Sequence, residues 1–477
     1  MSTVLVIAFV GIVFIGVLGF LGRRRPAANL TEWTVGGRQV GAVTMWFLQA
    51  GEIFTTFTFL GMAGLAFSGG VAAVYALPYV PIAYAVLFFI AKRLWSLGRE
   101  RGYLTQGDYL EDRFGSRTLG TLSAVLGVVF VLPYLQLQIT GLGLIVKLVT
   151  GNAASSTISM VVGFVLVVAF VLWAGLRGVA VTSYFKDAIM LVVLVVLIVA
   201  IPVHFSGGIP AMFQRIQQLH PAALTLHAGP NDQVWFFSSM VVSAIGVALM
   251  TLPHQWAPLL SARDPQVLRK NYTWMPLYGV CIAFPMIVGF AAILVLSKNT
   301  SANGVLLTLT QQVLPPWAVG LIVVAAIATA MVPAAGIMIG ISSLVARNIV
   351  RTRSDRGQFW VNHGTVVVAC ALALVLAIVR PDALANLLLL TYSGTVQLAP
   401  ANLLGMLRKR LVGKVPILAG LIVAEVVVIW LTFGKIHLFG TWNVGMVGLG
   451  VNVVVVVGAG LIERALAQRT AATAVPE

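Results

Sequence analysis

Glu52 is a carboxylate in the middle of a long apolar stretch, residues 41–69, GAVTMWFLQAGEIFTTFTFLGMAGLAFSG. An ionised carboxylate at the centre of a bilayer costs about 3 kcal/mol or more on insertion scales, so it marks an ion or substrate path by default. Gly51 precedes it, and Thr55, Thr56 and Thr58 follow within two turns. Glycine and short hydroxyl side chains let a helix unwind and turn backbone groups toward a bound ion. The plainer alternative is a glutamate held in one hydrogen bond to a neighbouring helix. Burial disfavours the charged form of a carboxyl group, which suits Glu52 to loading and releasing a proton. Two more acids fall in apolar runs, Asp187 in VTSYFKDAIM and Glu425 in LIVAEVVVIW. Asp187 is open to pairing with Arg177 or a basic loop, and Glu425 to packing or an oligomer contact. The six histidines show no paired spacing on a span, and neither H-E-x-x-H nor G-x-S-x-G occurs. An enzyme built on those constellations is therefore excluded.

The elements that must hold these groups are membrane helices. Of 477 residues, 59% are hydrophobic and 9% charged, which no soluble domain matches. The apolar runs predict an all-α integral membrane protein with thirteen spans: 3–22, 41–69, 71–96, 117–149, 157–176, 180–205, 234–256, 272–297, 317–347, 363–380, 382–407, 415–433 and 442–462. The first span has no cleavage site behind it and is expected to be retained. With the N-terminus outside, 25 of the 30 Lys and Arg residues fall on the inner side. Lys147, Arg215, Lys298, Arg380 and Lys435 are left outside. That bias follows the positive-inside rule and accounts for the net charge of +16 with the lipid bilayer as partner and no nucleic acid. The C-terminus and the basic loops are then cytoplasmic, in the cell's inner membrane. Cys281 and Cys370 both lie in apolar runs, so no disulfide framework is expected.

Two spans carry breaking residues. The second does so at Gln49–Phe54; the seventh has Ser238, Ser239, Ser243 and Gly246 ahead of Pro253, with its break expected at Ser243–Gly246. They lie five spans apart, as two inverted five-helix repeats require, and paired broken helices point to a site at the membrane midplane. The expected division is an extra N-terminal helix and basic loop (1–40), a first repeat (41–205), an outer loop and second repeat (206–407), and two C-terminal helices with a short tail (408–477). The outer loop 206–233 is expected to form a short interfacial helix. His254 is open to a role as an inner-gate proton group, but beside Pro253 it is expected at the solvated membrane edge. No Lys or Arg is expected deep in a core span, which leaves half-helix N-termini and neutral donors to hold an anionic solute.

Several segments resemble the sodium:solute symporter family. WTVGGR (33–38), TFLGMAG (58–64), LTQGDYLEDRFGSR (104–117), LPHQWAPLLSARDPQVLRK (252–270), AAIATAMVPAAGIMIGISSLVARNI (325–349) and QLAPANLLGML (397–407) match its pattern in order. The resemblance implies a leucine-transporter-type fold with a five-plus-five core, no organic cofactor, and a proton or sodium ion as coupling ion. It places a central sodium at the carbonyls of Gly51, Phe54 and Thr329, and a hydroxyl pair where this chain has Val332 and Pro333. Neither of those side chains offers the oxygen that a hard cation takes; an ionised Glu52 replacing them, and holding sodium with the carbonyls of Gly51, Phe54 and Thr329, is the alternative to proton coupling. Asp187 falls where family members carry an aspartate associated with a further cation position or the inner gate.

The solute chamber is expected where the broken helices meet spans three, four and eleven. Trp46, Gln49, Thr55 and Thr58 would line it, with Tyr75 and Tyr79, and Tyr134, Gln136 and Gln138. Span seven would add Phe236, Ser239 and Ser243, and span eleven Tyr392, Ser393 and Gln397. Amides and hydroxyls with aromatic walls suit a small polar solute. WFLQAGEIFT and AMVPAA resemble the monocarboxylate permease branch, which implies lactate, pyruvate or acetate import. Sodium-coupled uptake of an amino acid, a pantothenate-like solute or a sugar is the alternative, and a transporter-like sensory receptor the alternative of another class.

Overall fold

Backbone amides in a hydrocarbon environment must be satisfied within the segment itself, which leaves helices as the form for isolated apolar runs. The computed structural model describes residues 3–22, 27, 29–150, 154–352, 354–380, 382, 384–434 and 440–473. Among the described residues there is no β-strand, only an isolated bridge between Val40 and Ala262. The basic residues Arg23, Arg24, Arg25, Arg353 and Lys435, which bear on orientation, lie outside the described residues.

The chain opens with α1 (Thr3–Gly22), the short α2 (Leu30–Val35) and the two halves of the first broken span, α3 (Ala42–Ile53) and α4 (Met62–Gly69). Then come α5 (Ala76–Arg101), the short α6 (Gln106–Phe114), α7 (Arg117–Thr150) and α8 (Ala154–Ser206). The short α9 (Ile209–Leu219) precedes the second broken span, α10 (Gln233–Ala248) and α11 (Trp256–Ser261). The remainder comprises α12 (Pro265–Gly279), α13 (Ala283–Val295), α14 (Val305–Val313), α15 (Pro316–Leu344), α16 (Asp355–Val379), α17 (Leu384–Thr395), α18 (Ala399–Met406), α19 (Lys414–Phe433) and α20 (Val444–Thr473). A short helix does form within residues 206–233, as α9.

Eleven helical stretches among the described residues are long and apolar enough to cross a membrane, against the thirteen spans expected. The difference lies where helices are interrupted. The stretch 41–69 is divided near Phe54, and its second half runs on toward α5 as one helical stretch, Phe57–Arg101. The stretch 157–176 keeps only Met160–Trp173 as an apolar helix. Gly175 (φ +53°) lies outside helical geometry and divides α8; a Cβ there would come within 3.2 Å of the Trp33 ring.

The first break falls where expected. After Ile53, Phe54 is extended (φ −90°, ψ 90°), and a π-helical turn over Phe57–Gly61 leads into α4. Local side chains satisfy the interrupted ladder: Thr58 Oγ1 donates to the Ile53 carbonyl (2.6 Å), and the Phe57 N–H donates to Thr55 Oγ1 (3.2 Å). From α7, Gln138 Oε1 accepts the Thr56 N–H (3.3 Å).

The second break is displaced from its expected place. The backbone stays helical through Ser243 and Gly246 and leaves the helix only after Ala248, with Met250 at φ +54°. Pro253 disfavours helical geometry in the residue before it, which fixes the end of the break at Leu252. Serine hydroxyls return to their own helix instead of opening it, as Ser238 Oγ does to the Val234 carbonyl (2.6 Å). The carbonyls released at Leu249 and Met250 accept from Asn402 Nδ2 (2.7 and 3.2 Å), and Met250 also accepts from Trp256 Nε1 (2.8 Å).

α15 is the central rod: 94% of its most apolar window is buried, against 22% for α1 at the periphery. It packs on α1, α7, α8 and α16. Apolar side chains that no protein covers, such as Phe9, Val199, Val368 and Val379, face outward, as a lipid-facing surface requires. On one face, α6 is held to the end of the α15 rod by Asp108–Arg347 (3.2 Å) and Glu111–Arg351 (2.6 Å).

Candidate functional site

The break in the first broken span frees carbonyls at the C-terminal end of α3, the negative end of its dipole. Lys186 of α8 takes them. Its Nζ donates to the Gly51 carbonyl (3.1 Å) and the Phe54 carbonyl (2.9 Å), and lies 2.7 Å from Asp187 Oδ1. An ammonium has three donors, and these three acceptors use them. Both side chains are fully buried. Tyr278 OH donates to Asp187 Oδ1 (3.0 Å), while Oδ2 has no hydrogen-bond partner. The expectation that no lysine lies deep in a core span is thereby overturned. Asp187 pairs with its neighbour Lys186, whereas Arg177 lies 3.9 Å from Glu32.

That donor set does not fit a resident sodium ion. Two of the carbonyls expected to bind it are engaged by an ammonium, and Val332 and Pro333 supply no hydroxyl. The third expected ligand, the Thr329 carbonyl, has no helical N–H to accept because residue 333 is proline; the Thr329 side chain itself donates to the Ala326 carbonyl (2.7 Å).

Glu52 faces two neighbouring cavities. The smaller lies against Gly51, Ser183, His254, Val332, Pro333 and Gly336. The other is walled by Glu52, Thr55, Tyr79, Tyr134, His254 and Tyr392, with Val247, Leu252 and Leu388 among the apolar sides. It encloses about 30 Å³, room for one or two waters and too little for an organic solute. His254 is 4% exposed and not at a solvated edge as expected. The chain turns inward at the second break and carries it between both cavities. Its Nδ1 has no hydrogen-bond partner, and its ring lies 5.5 Å from that of Tyr134. Tyr134 OH reaches the Glu52 carbonyl (3.4 Å), and the rings of Tyr79 and Tyr392 meet edge-on at 6.1 Å.

Of the expected chamber residues, the structure gathers Thr55, Tyr134 and Tyr392 around this cavity, with Tyr79 beside them. Others serve the scaffold. Gln49 accepts from Asn271 Nδ2 and donates to Tyr272 OH (3.2 Å). Thr58 and Gln138 stitch the first break, although Gln138 Nε2 is left buried without a partner. Trp46 packs on Phe47 and Tyr278. Ser393 donates to the Leu389 carbonyl and Asn443, and Gln397 Nε2 to Gly445, so both face the α20 side. Ser243 is buried with its hydroxyl unpartnered and does not line the cavity. Glu425 on α19 is buried with both oxygens lacking a hydrogen-bond partner. Sequence reasoning missed Lys186, Tyr278 and the inward His254. A Lys-Asp pair inside VTSYFKDAIML, with apolar residues running on behind it, was the available signal for the first.

The sequence model of the family described as "SSF: Sodium:solute symporter family" matches residues 33–423. A protein named "Uncharacterized symporter YhjB" from Bacillus subtilis is 34% identical, over 97% of this chain and 98% of its own length. A "Monocarboxylate transport permease protein" from Rhizobium johnstonii is 28% identical, over 85% and 84%. Among solved structures, a Na+-coupled sialic acid symporter in a substrate-bound outward-open state superposes with a TM-score of 0.80 at 17% identity, covering 98% of each chain.

Proposed function

This chain belongs to the sodium:solute symporter family, and we propose that it imports small monocarboxylates such as lactate, pyruvate or acetate, driven by protons through Glu52. Family and fold make it a secondary active symporter in a membrane and not an enzyme. The observation that carries the coupling is the position of Glu52. It lines both the hydroxyl-rich cavity and the smaller one against Val332 and Pro333, where the family's sodium oxygens are missing. An anionic solute and an ionised glutamate in one low-dielectric chamber repel, so each raises the other's affinity for a proton. Carriage of one proton with one monocarboxylate removes that repulsion.

The solute class rests on the donors. Hydroxyls of Thr55, Tyr79, Tyr134 and Tyr392 surround the same cavity and provide hydrogen bonds for a carboxylate without a fixed positive charge. The relative named as a monocarboxylate permease supports the same class. Asp187 acts on the coupling site through Lys186. The thirteen-span topology, with the N-terminus outside, the C-terminus cytoplasmic and repeats at 41–205 and 206–407, is part of the proposal and rests on the loop charges and the two breaks. Uptake of labelled lactate into proteoliposomes tests the solute: propionate and pyruvate should compete. Competition by proline or glucose in their place would overturn the assignment.

A further inference from the structure

The contacts of Lys186 carry an inference beyond solute and driving ion. We infer that its ammonium is a built-in cation that occupies the family's central sodium position and closes it to sodium. Sodium in such a fold sits on carbonyls released at a half-helix C-terminal end. Here the carbonyls of Gly51 and Phe54 both accept from Nζ, at 3.1 and 2.9 Å. The third ammonium proton points to Asp187 Oδ1 at 2.7 Å, so the ammonium is saturated without water. The opposite wall agrees: Val332 and Pro333 would offer a sodium ion nothing, and a lysine that brings its own carboxylate partner needs nothing from them.

A buried ion pair persists only with good geometry and further hydrogen bonds, and both are present. Tyr278 donates to the same Asp187 oxygen (3.0 Å). A Cβ at Gly51 would press on Ser183 Oγ at 3.0 Å and reach Lys186 Nζ only at 3.7 Å, an ordinary contact, so the glycine lets α3 lie close to Ser183, one turn before the lysine on α8. A bound sodium leaves in each cycle, whereas a tethered ammonium cannot. α3 is thus fastened to α8 by a cation that no gradient supplies. The charged and titratable groups around this position are Glu52, Asp187, Tyr278 and, across the smaller cavity, His254.

This deepens the proposed proton coupling and rests on it only for what drives uptake; sodium exclusion follows from the contacts alone. Its test therefore needs no solute. Binding of radioactive sodium is measured on the purified full-length protein in nanodiscs, with choline as the replacement cation. The wild type should show no saturable binding and no sodium-dependent shift of its melting temperature. Lys186→Ala, which vacates both carbonyls and leaves the Asp187 carboxylate, should gain saturable binding of about one ion per chain and melt higher in sodium than in choline. Adding Val332→Ser and Pro333→Thr should tighten it. If Lys186→Ala does not fold, the same two measurements are made with Lys186→Ala/Asp187→Asn, which strands no buried charge. Saturable sodium binding by the wild type overturns the inference, as does a folded variant that gains none. A chain that excludes sodium but does not take up lactate contradicts only the proposed solute.

Discussion

Tyr134 and Tyr392 present their side chains to the cavity that Glu52 lines, so removing either hydroxyl should weaken the solute and spare the fold. A hydrogen bond to a charged group is worth about 1.5–3 kcal/mol, or about a tenfold or greater rise in KM. Tyr134→Phe and Tyr392→Phe should each show that rise for lactate uptake, with melting temperatures near the wild type. Gln397→Ala, remote from the cavity and bonded toward α20, should instead lower the melting temperature and leave KM alone. The contrast shows what side-chain identity alone conveys. Amides and hydroxyls in apolar runs are equally fit to bind a solute or to join helices, and only the fold assigns Gln397 and Ser393 to the second role. Lys186 illustrates the same limit for charge. In the sequence it stands near the basic inner loops, and only the break beside Gly51 creates the acceptors that make its burial tolerable.

Elements owe their breaks to a few residues whose removal has defined costs. Gly175 divides α8 at φ +53°, ψ −169°, a backbone that is essentially glycine's alone and costs other residues about 1–3 kcal/mol. Gly175→Ala should lower stability by that amount in a thermal melt. Asn402 holds the second break, donating to Leu249 and Met250 and accepting from Gln106. Asn402→Ala strands the Leu249 carbonyl and Gln106 Nε2, while Met250 keeps Trp256 Nε1, and should cost about 1–3 kcal/mol. At the N-terminus of α10, Asp232 accepts from Thr441 Oγ1 (2.6 Å) and from the Trp235 N–H. Those bonds hold its carboxyl below the usual carboxylate range. A depressed value in the folded state gives stability above the unfolded carboxylate's range that is lost as pH falls through the folded value. The stability difference between wild type and Asp232→Asn should therefore shrink below about pH 4. Of the two breaks, the first was legible because Gly51, Glu52 and the threonines sit at the break itself. The second was not, because Ser243 and Gly246 are tolerated within a helix while the backbone turns at Met250 and Leu252, next to Pro253.

At the scale of the whole molecule, the apolar runs conveyed an all-helical membrane protein, and the ordered motifs its family. The burial of α15 at the centre and the pairing of α19 with α20 depend on long-range packing that no local pattern encodes. Proposed orientation puts the loop after α15 on the cytoplasmic side. A single cysteine replacing the exposed Arg356, with Cys281 and Cys370 removed, should react with an impermeant reagent only in inside-out vesicles. Labelling in intact cells would reverse the topology. Proton coupling through Glu52 is the central claim, and gradient-driven lactate accumulation in proteoliposomes, measured for wild type and Glu52→Gln with proton and sodium gradients imposed separately, tests it most directly. A proton gradient alone should drive the wild type, sodium should have no effect at constant pH, and Glu52→Gln should exchange lactate without accumulating it. Sodium-dependent wild-type accumulation at constant pH, with a saturable sodium dependence lost in Glu52→Gln, would contradict proton coupling.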